Sequence, residues 1–142
     1  MVVREMTGLV VCVAVLAMAS AYGVLQRRRS GRIRVRGRDD GKRLGPAELG
    51  TDLGERATLV QFSSAFCAPC RATRRVLGEV ADMVPGVAHV EIDAEKHLDL
   101  VRELDILKTP TVLVLDADGR VVRRAIGQPR RADVIAALGE AV

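Results

Sequence analysis

Cys67-Ala68-Pro69-Cys70 stands where an apolar run meets a helical pattern. The run before it, Ala57-Thr58-Leu59-Val60-Gln61-Phe62, reads as a buried strand, and the residues after it read as a helix. A strand therefore ends and a helix begins at the two cysteines. The unpaired N–H groups and the dipole of a helix N-terminus favour an anion. A thiolate at Cys67 is the anion expected there. Pro69 suits the first helical turn, where its missing N–H costs nothing. Cys70 falls one turn along on the same side, close enough to close a disulfide. The arrangement is a dithiol able to open and close.

The remainder of that region is regular. Ala68 to Val84 is expected to be helical, with Ala72, Val76, Val80 and Val84 inward, and Pro85-Gly86 ends it. Val87 to Ile92 reads as a strand and Glu95 to Leu104 as a helix. Thr111 to Asp116 and Arg120 to Ile126 read as a hairpin about Asp116-Ala117-Asp118-Gly119. Arg130 to Glu140 reads as a last helix with Val134, Ile135 and Leu138 inward, and Pro46 to Leu53 as a short one. The order β-α-β-α-β-β-α predicts an α/β fold: a mixed central sheet flanked by helices on both faces.

The N-terminal third is of another kind. Thr7 to Gln26 carries no charge, and twenty residues of helix span roughly 30 Å, the thickness of a bilayer core. A membrane anchor and a cleaved signal peptide compete for such a run. Arg4 is offset by Glu5, whereas Arg27, Arg28, Arg29, Arg32, Arg34, Arg36 and Arg38 follow the run. Positive flanks stay in the cytoplasm. The expectation is a single-pass cell-membrane protein with its C-terminal domain cytoplasmic. Residues 1–26 form the transmembrane anchor, 27–43 a basic juxtamembrane linker near the lipid bilayer, and 44–142 the folded domain. Within the linker, Arg32 to Arg36 alternates as a short edge strand, Asp39-Asp40-Gly41-Lys42 is a turn, and Arg43-Leu44 is a return strand.

Charge narrows the function. The formal net charge is +4, but residues 27–43 hold nine basic and two acidic residues, and 44–142 hold 12 basic and 15 acidic, a net of −3. Basic character belongs to the linker. With one Tyr, two Phe and no Trp there is little for bases to stack on, so nucleic acid is not an expected partner. Nineteen of the 22 basic residues are arginine, the bias of a GC-rich bacterial genome. Cys12, the third cysteine, lies in the apolar run and is expected to be a small packing residue. Zinc needs four ligands and the Cys67/Cys70 pair supplies two, while His97 is expected on an exposed helix face, so no metal is expected.

A Cys-x-x-Cys in a βαβ setting reads as a redox motif. Lys108-Thr109-Pro110-Thr111 adds a proline at the start of a buried strand, a site able to hold a cis X-Pro bond and to leave a backbone group free for an extended substrate. With these residues the chain resembles the thioredoxin superfamily over roughly its last two thirds. Phe62-Ser63-Ser64-Ala65-Phe66-Cys67-Ala68-Pro69-Cys70-Arg71 is similar to the family's Phe-x-x-x-Trp-Cys-x-Pro-Cys-Lys. Thr109-Pro110-Thr111 resembles its cis-proline loop, and Asp116-Ala117-Asp118-Gly119 with Gly127 its hairpin and following glycine. The anchor and basic linker look like those of membrane-tethered thioredoxin-like proteins.

The resemblance implies a thiol-disulfide oxidoreductase that reduces protein disulfides and needs no cofactor beyond its own sulfurs. Cys67 is then the attacking thiol, and Cys70 resolves the mixed disulfide by forming Cys67–Cys70. Phe66, Ala68, Pro69, Thr109 and Pro110 bind substrate. The implied partners are a disulfide-containing protein and a recycling reductant. Five positions depart from the family. Phe66 replaces a tryptophan, Ala68 a glycine, and Arg75 a proline, so the helix is expected to be straighter. Gln61 stands where a buried carboxylate is usual, and His89 where a lysine is. Gln61 and His89 are therefore the candidates for supporting proton transfer at Cys70. Two alternatives stand beside this reading: an extracytoplasmic reductase of envelope or cytochrome maturation, and a redox-inactive interaction module of the same fold.

Overall fold

The computed structural model describes residues 2–29, 33–35 and 41–142. The chain divides into two compact units, Met1–Ser30 and Gly31–Val142.

The first unit is one helix, α1 (Val2–Arg29). Its stretch Met6–Arg28 has a mean hydropathy of 2.3, and none of its apolar window is buried. By length and composition this helix is able to cross a membrane, a property that signal sequences share. Cys12 lies exposed on it as a free thiol.

In the second unit the elements run β1 (Ile33–Val35), α2 (Pro46–Leu49), β2 (Ala57–Ser63), α3 (Ala68–Met83), β3 (Val87–Asp93), α4 (Leu98–Glu103), β4 (Thr111–Asp116), β5 (Val121–Ile126) and α5 (Arg131–Ala141). They build a five-stranded sheet in the order β1-β5-β4-β2-β3. β2 and β3 are parallel, joined by the α3 crossover, and the other pairings are antiparallel. This is the mixed sheet that the element order predicts. The interior strand β2, between β4 and β3, is buried along its whole length, as its apolar run requires.

Strand alternation sends the core to both faces. Val60, Phe62, Leu113 and Leu115 pack with Leu49 of α2 and with Leu100 and Leu104 at α4. Leu59, Val112, Val114 and Ala125 pack with Leu77 and Val80 of α3 and with Val134, Ala137 and Leu138 of α5. The turn after β4 needs its glycine. Gly119 has φ +81°, and a Cβ there would lie 2.2 Å from the Leu44 carbonyl oxygen.

Five expectations change. The short helix α2 ends at Leu49, not Leu53, because Gly50 caps it with φ +71°. α3 buries Cys70, Thr73, Leu77 and Val80, a three-four-three step, whereas Ala72 and Val76 are half-buried. A strict step of four drifts around a 3.6-residue helix. Thr73 tolerates burial because its hydroxyl donates to the Pro69 carbonyl at 2.9 Å. α4 begins at Leu98, not Glu95, because Asp93 accepts the Glu95 N–H at 2.9 Å and turns the chain first. On α5, Ile135 is 44% exposed and Ala137 takes the inward place. Arg43 does not return against the strand at 33–35. It bridges to Arg120, while β1 pairs with β5 through Ile33–Ala125. Arg32, Arg36 and the Asp39-Asp40 start of the expected turn lie outside the described residues. α3 runs uninterrupted from Ala68 to Met83, past Arg75.

Candidate active site

β2 ends at Ser63 and α3 begins at Ala68, so Cys67 is the residue that caps the helix. Its backbone is extended, and its sulfur accepts the Cys70 N–H at 3.2 Å. Pro69 occupies the first turn, as its fixed φ favours. The two sulfurs are bonded, 2.09 Å apart. Their surroundings differ. Cys67 is half-buried and open to attack from outside, whereas Cys70, on the inward face of the first turn of α3, is 1% exposed. The Cys70 N–H and the N-terminus of α3 face the Cys67 sulfur.

The second loop comes from the start of β4. The Thr109–Pro110 peptide is cis, Pro110 is buried and Thr109 half-buried. The Thr109 and Ser64 hydroxyls lie 3.0 Å apart, which ties this loop to the turn that carries Cys67. The Gly127 N–H donates to the Pro110 carbonyl at 2.8 Å, so the glycine after β5 secures the loop from the far side. Phe66 is fully exposed, Ala68 and Pro69 are exposed beside it, and Leu107 in the loop before Pro110 is 92% exposed. Phe66, Ala68 and Pro69 thus flank Cys67 along the chain, and the Ser64–Thr109 contact links their turn to the loop that carries Thr109 and Pro110.

Beneath Cys70 lies a polar cluster on a face that is otherwise apolar. Gln61 is fully buried. Its Nε2 donates to the Cys70 carbonyl at 2.8 Å and to Ser63 Oγ at 2.9 Å. Its Oε1 lies 3.2 Å from His89 Nε2. Since Oε1 only accepts, His89 carries a proton on Nε2. Glu91 is the register partner of Gln61 on β3 and forms a two-pronged ion pair with Arg74 of α3. That pairing holds the Glu91 carboxyl below its usual range, against a smaller opposing effect of burial, and Ser63 adds a hydrogen bond to it.

Burial, opposed by the Glu91 charge, keeps His89 below its ordinary value of 6.5. As pH falls through 6.5 the unfolded chain takes up this proton first. The stabilisation from a neutral His89 is therefore full above that value and is lost as pH falls toward the folded-state pKa. His89→Gln, which keeps a donor for Gln61, is expected to flatten the fall of unfolding free energy between about pH 7 and about pH 5. An unchanged slope in urea titrations would remove His89 as its source.

Gln61 and His89 meet each other, as expected, but His89 makes no hydrogen bond to Cys70 among the described residues. Ser63, Ser64, Glu91, Arg74 and Leu107 were not legible as site residues. Only Glu91 had a signal: it shares a β3 face with His89, two residues away. No cluster of His, Cys, Asp and Glu able to hold a metal ion occurs among the described residues.

A dithiol capping a helix beside a cis-proline loop, on a sheet of this order, is the site of a thioredoxin-like fold. Residues 48–140 match the family model for thioredoxin, and the chain belongs to that family. It is 27% identical over 99 residues to the thioredoxin of Mycobacterium bovis, a match covering 68% of this chain and 84% of the relative. It is 32% identical over 69 residues to thioredoxin-2 of Pyricularia oryzae, covering 49% of this chain and 40% of that relative, so it spans less than half of the latter's length. The oxidised mitochondrial thioredoxin 3 of Saccharomyces cerevisiae shares the fold, with a TM-score of 0.53 at 20% identity over 61% of this chain and 79% of that one.

Proposed function

We propose that this protein is a membrane-tethered thiol-disulfide oxidoreductase that reduces protein disulfides through Cys67 and Cys70. The observation that carries the reading is the unequal burial of two bonded sulfurs on one helix end. The half-buried Cys67, the more accessible of the two, attacks a partner disulfide as its thiolate. One Cys67–partner bond forms, and the partner's other sulfur leaves as a thiolate and takes a proton. Cys70 then attacks Cys67, the intramolecular disulfide closes, and the second partner sulfur departs. Two electrons pass to the partner, and an external dithiol restores Cys67 and Cys70.

Phe66 and Leu107 offer apolar contact to an extended substrate, with Ala68 and Pro69 flanking Cys67 and the backbone at Thr109–Pro110 available for pairing. α1 is the proposed anchor, and the arginines that follow it favour a cytoplasmic domain. A cytoplasmic domain meets a reducing thiol pool, which favours reduction over oxidation of partners.

Insulin reduction by the full chain in detergent, with dithiothreitol as recycling reductant, tests the reading. The wild-type chain is expected to precipitate insulin B chain well above the dithiothreitol background, and Cys67→Ser to return to that background. Equal rates for the two would leave a thioredoxin-fold module with an idle disulfide.

A further inference from the structure

Two cations from distant parts of the chain hold the turn that leads into the cis-proline. α4 ends at Glu103, and the last carbonyls of a helix have no intrahelical partner. Asp105 follows with φ +52°. The Asp105 N–H donates to the Arg102 carbonyl at 3.2 Å and the Ile106 N–H to the Val101 carbonyl at 2.9 Å, the pattern of a left-handed helix cap. An aspartate enters this backbone region at a cost that glycine does not incur.

The carbonyls around this cap are taken by side chains from elsewhere. Lys42 Nζ donates to the Glu103 carbonyl at 3.0 Å and lies 3.9 Å from Asp105 Oδ2. Arg124 of β5 donates to the Leu104 carbonyl at 2.6 Å and to the Asp105 carbonyl at 3.4 Å. Hydrogen bonds from charged donors are the stronger kind. Both donors are anchored through their backbones. The Val121 N–H donates to the Lys42 carbonyl at 3.2 Å, and the Leu44 N–H to the Gly119 carbonyl at 2.9 Å, so residues 42–44 lie along the β4–β5 turn. Arg124 pairs with Leu113, whose face packs against Leu100 and Leu104.

Beyond the cap, Ile106 is buried and Leu107 is exposed. The next fixed point is Thr109, tied to Ser64 at 3.0 Å. Leu107 and Lys108 therefore stand between a cap at 103–105 and a pin at 109. We propose that Lys42 and Arg124 are positioning residues for protein substrates, which hold the 103–105 turn and thereby fix the loop that presents Leu107 and the Thr109–Pro110 backbone. Through Lys42, the segment between α1 and α2 becomes part of the docking apparatus. This rests on the oxidoreductase reading, in which that loop receives the partner, and deepens it. The role acts on docking, so a protein disulfide feels it and a small disulfide reagent does not.

The test uses the full chain in detergent in a Cys12→Ser background. Insulin reduction recycled by dithiothreitol gives KM and kcat, and DTNB gives the rate of attack on a small disulfide. Lys42→Met and Arg124→Met are each expected to raise KM for insulin about threefold, and together about tenfold, with kcat and the DTNB rate within about twofold of wild type. Lys42→Arg, which keeps a charged donor of similar reach, is expected to restore the wild-type KM. Asp105→Gly added to the double variant is expected to bring KM back to within about threefold of wild type, because glycine holds the left-handed turn without the cations.

An unchanged KM in the double variant would overturn the role. So would kcat and the DTNB rate falling in step with each other, since the damage would then lie at the sulfurs. A raised KM that Asp105→Gly leaves untouched would overturn the holding of the turn and make the cations direct substrate contacts. Should the double variant lack a cooperative thermal melt, Lys42→Met decides alone, and a KM within about 1.5-fold of wild type in it would overturn the role. A parent chain that reduces neither insulin nor DTNB would overturn the oxidoreductase reading itself, and this inference with it.

Discussion

Cys70→Ser is expected to leave a protein that attacks disulfides and does not let them go. Cys67 remains half-buried at the helix N-terminus, with the residue-70 N–H still facing its sulfur, so the first step survives. A serine hydroxyl is no nucleophile toward a disulfide under these conditions, so the mixed disulfide accumulates. Multiple-turnover reduction of insulin should fall by at least about 100-fold, while a single DTNB equivalent is still released at close to the wild-type rate. Non-reducing electrophoresis of membranes from cells expressing this variant should show adducts that collapse with reductant and are absent in a Cys67→Ser, Cys70→Ser double variant. The compartment of the trapped partners reports the side of the membrane on which the domain works. Partners confined to the outside would sink the cytoplasmic orientation. Wild-type turnover in Cys70→Ser would sink the two-step mechanism.

Phe62→Ala should have the largest effect on stability. Phe62 is fully buried in the interior strand β2 and packs on the face covered by α2 and α4. Emptying such a site costs about 3–5 kcal/mol, the lost transfer free energy plus the cavity left behind. In a domain of this size that lowers the thermal midpoint by roughly 15–30 °C. Differential scanning calorimetry and urea melts on the full chain in one detergent check it. The chemistry should survive below the midpoint, because neighbours in a strand point to opposite faces and Phe62 faces away from the Gln61 side. A loss under about 1 kcal/mol would show that the core closes over the gap.

Much of this architecture was legible because each signal was local. The Ala57–Ser63 run, the proline in the first turn of α3 and the Asp116–Gly119 turn each state a backbone preference without help from distant residues. The misread positions share a cause. Ile135 and Ala137 are both acceptable on an inward or outward face of α5, and the packing of α3 and β4 decides between them. The half-buried state of Ala72 and the burial of Thr73 depend likewise on where the sheet lies, since an intrahelical hydrogen bond satisfies the threonine.

The site divides along the same line. Two cysteines three residues apart at a strand–helix junction determined, from sequence alone, that the chain carries a dithiol, because helical spacing and cap electrostatics act within a single turn. The identity of Gln61 likewise determined that no carboxylate stands at that position. What Gln61 does instead was decided only in three dimensions. Its hydrogen-bond partners are 2, 9 and 28 residues away along the chain. The parallel pairing of β2 with β3 brings His89 and Glu91 alongside, and the α3 crossover sets Cys70 above. The Ser64–Thr109 contact joins residues 45 apart. A side-chain amide carries no record in sequence of which neighbours will take its two donors and its acceptor; the sheet register assigns them.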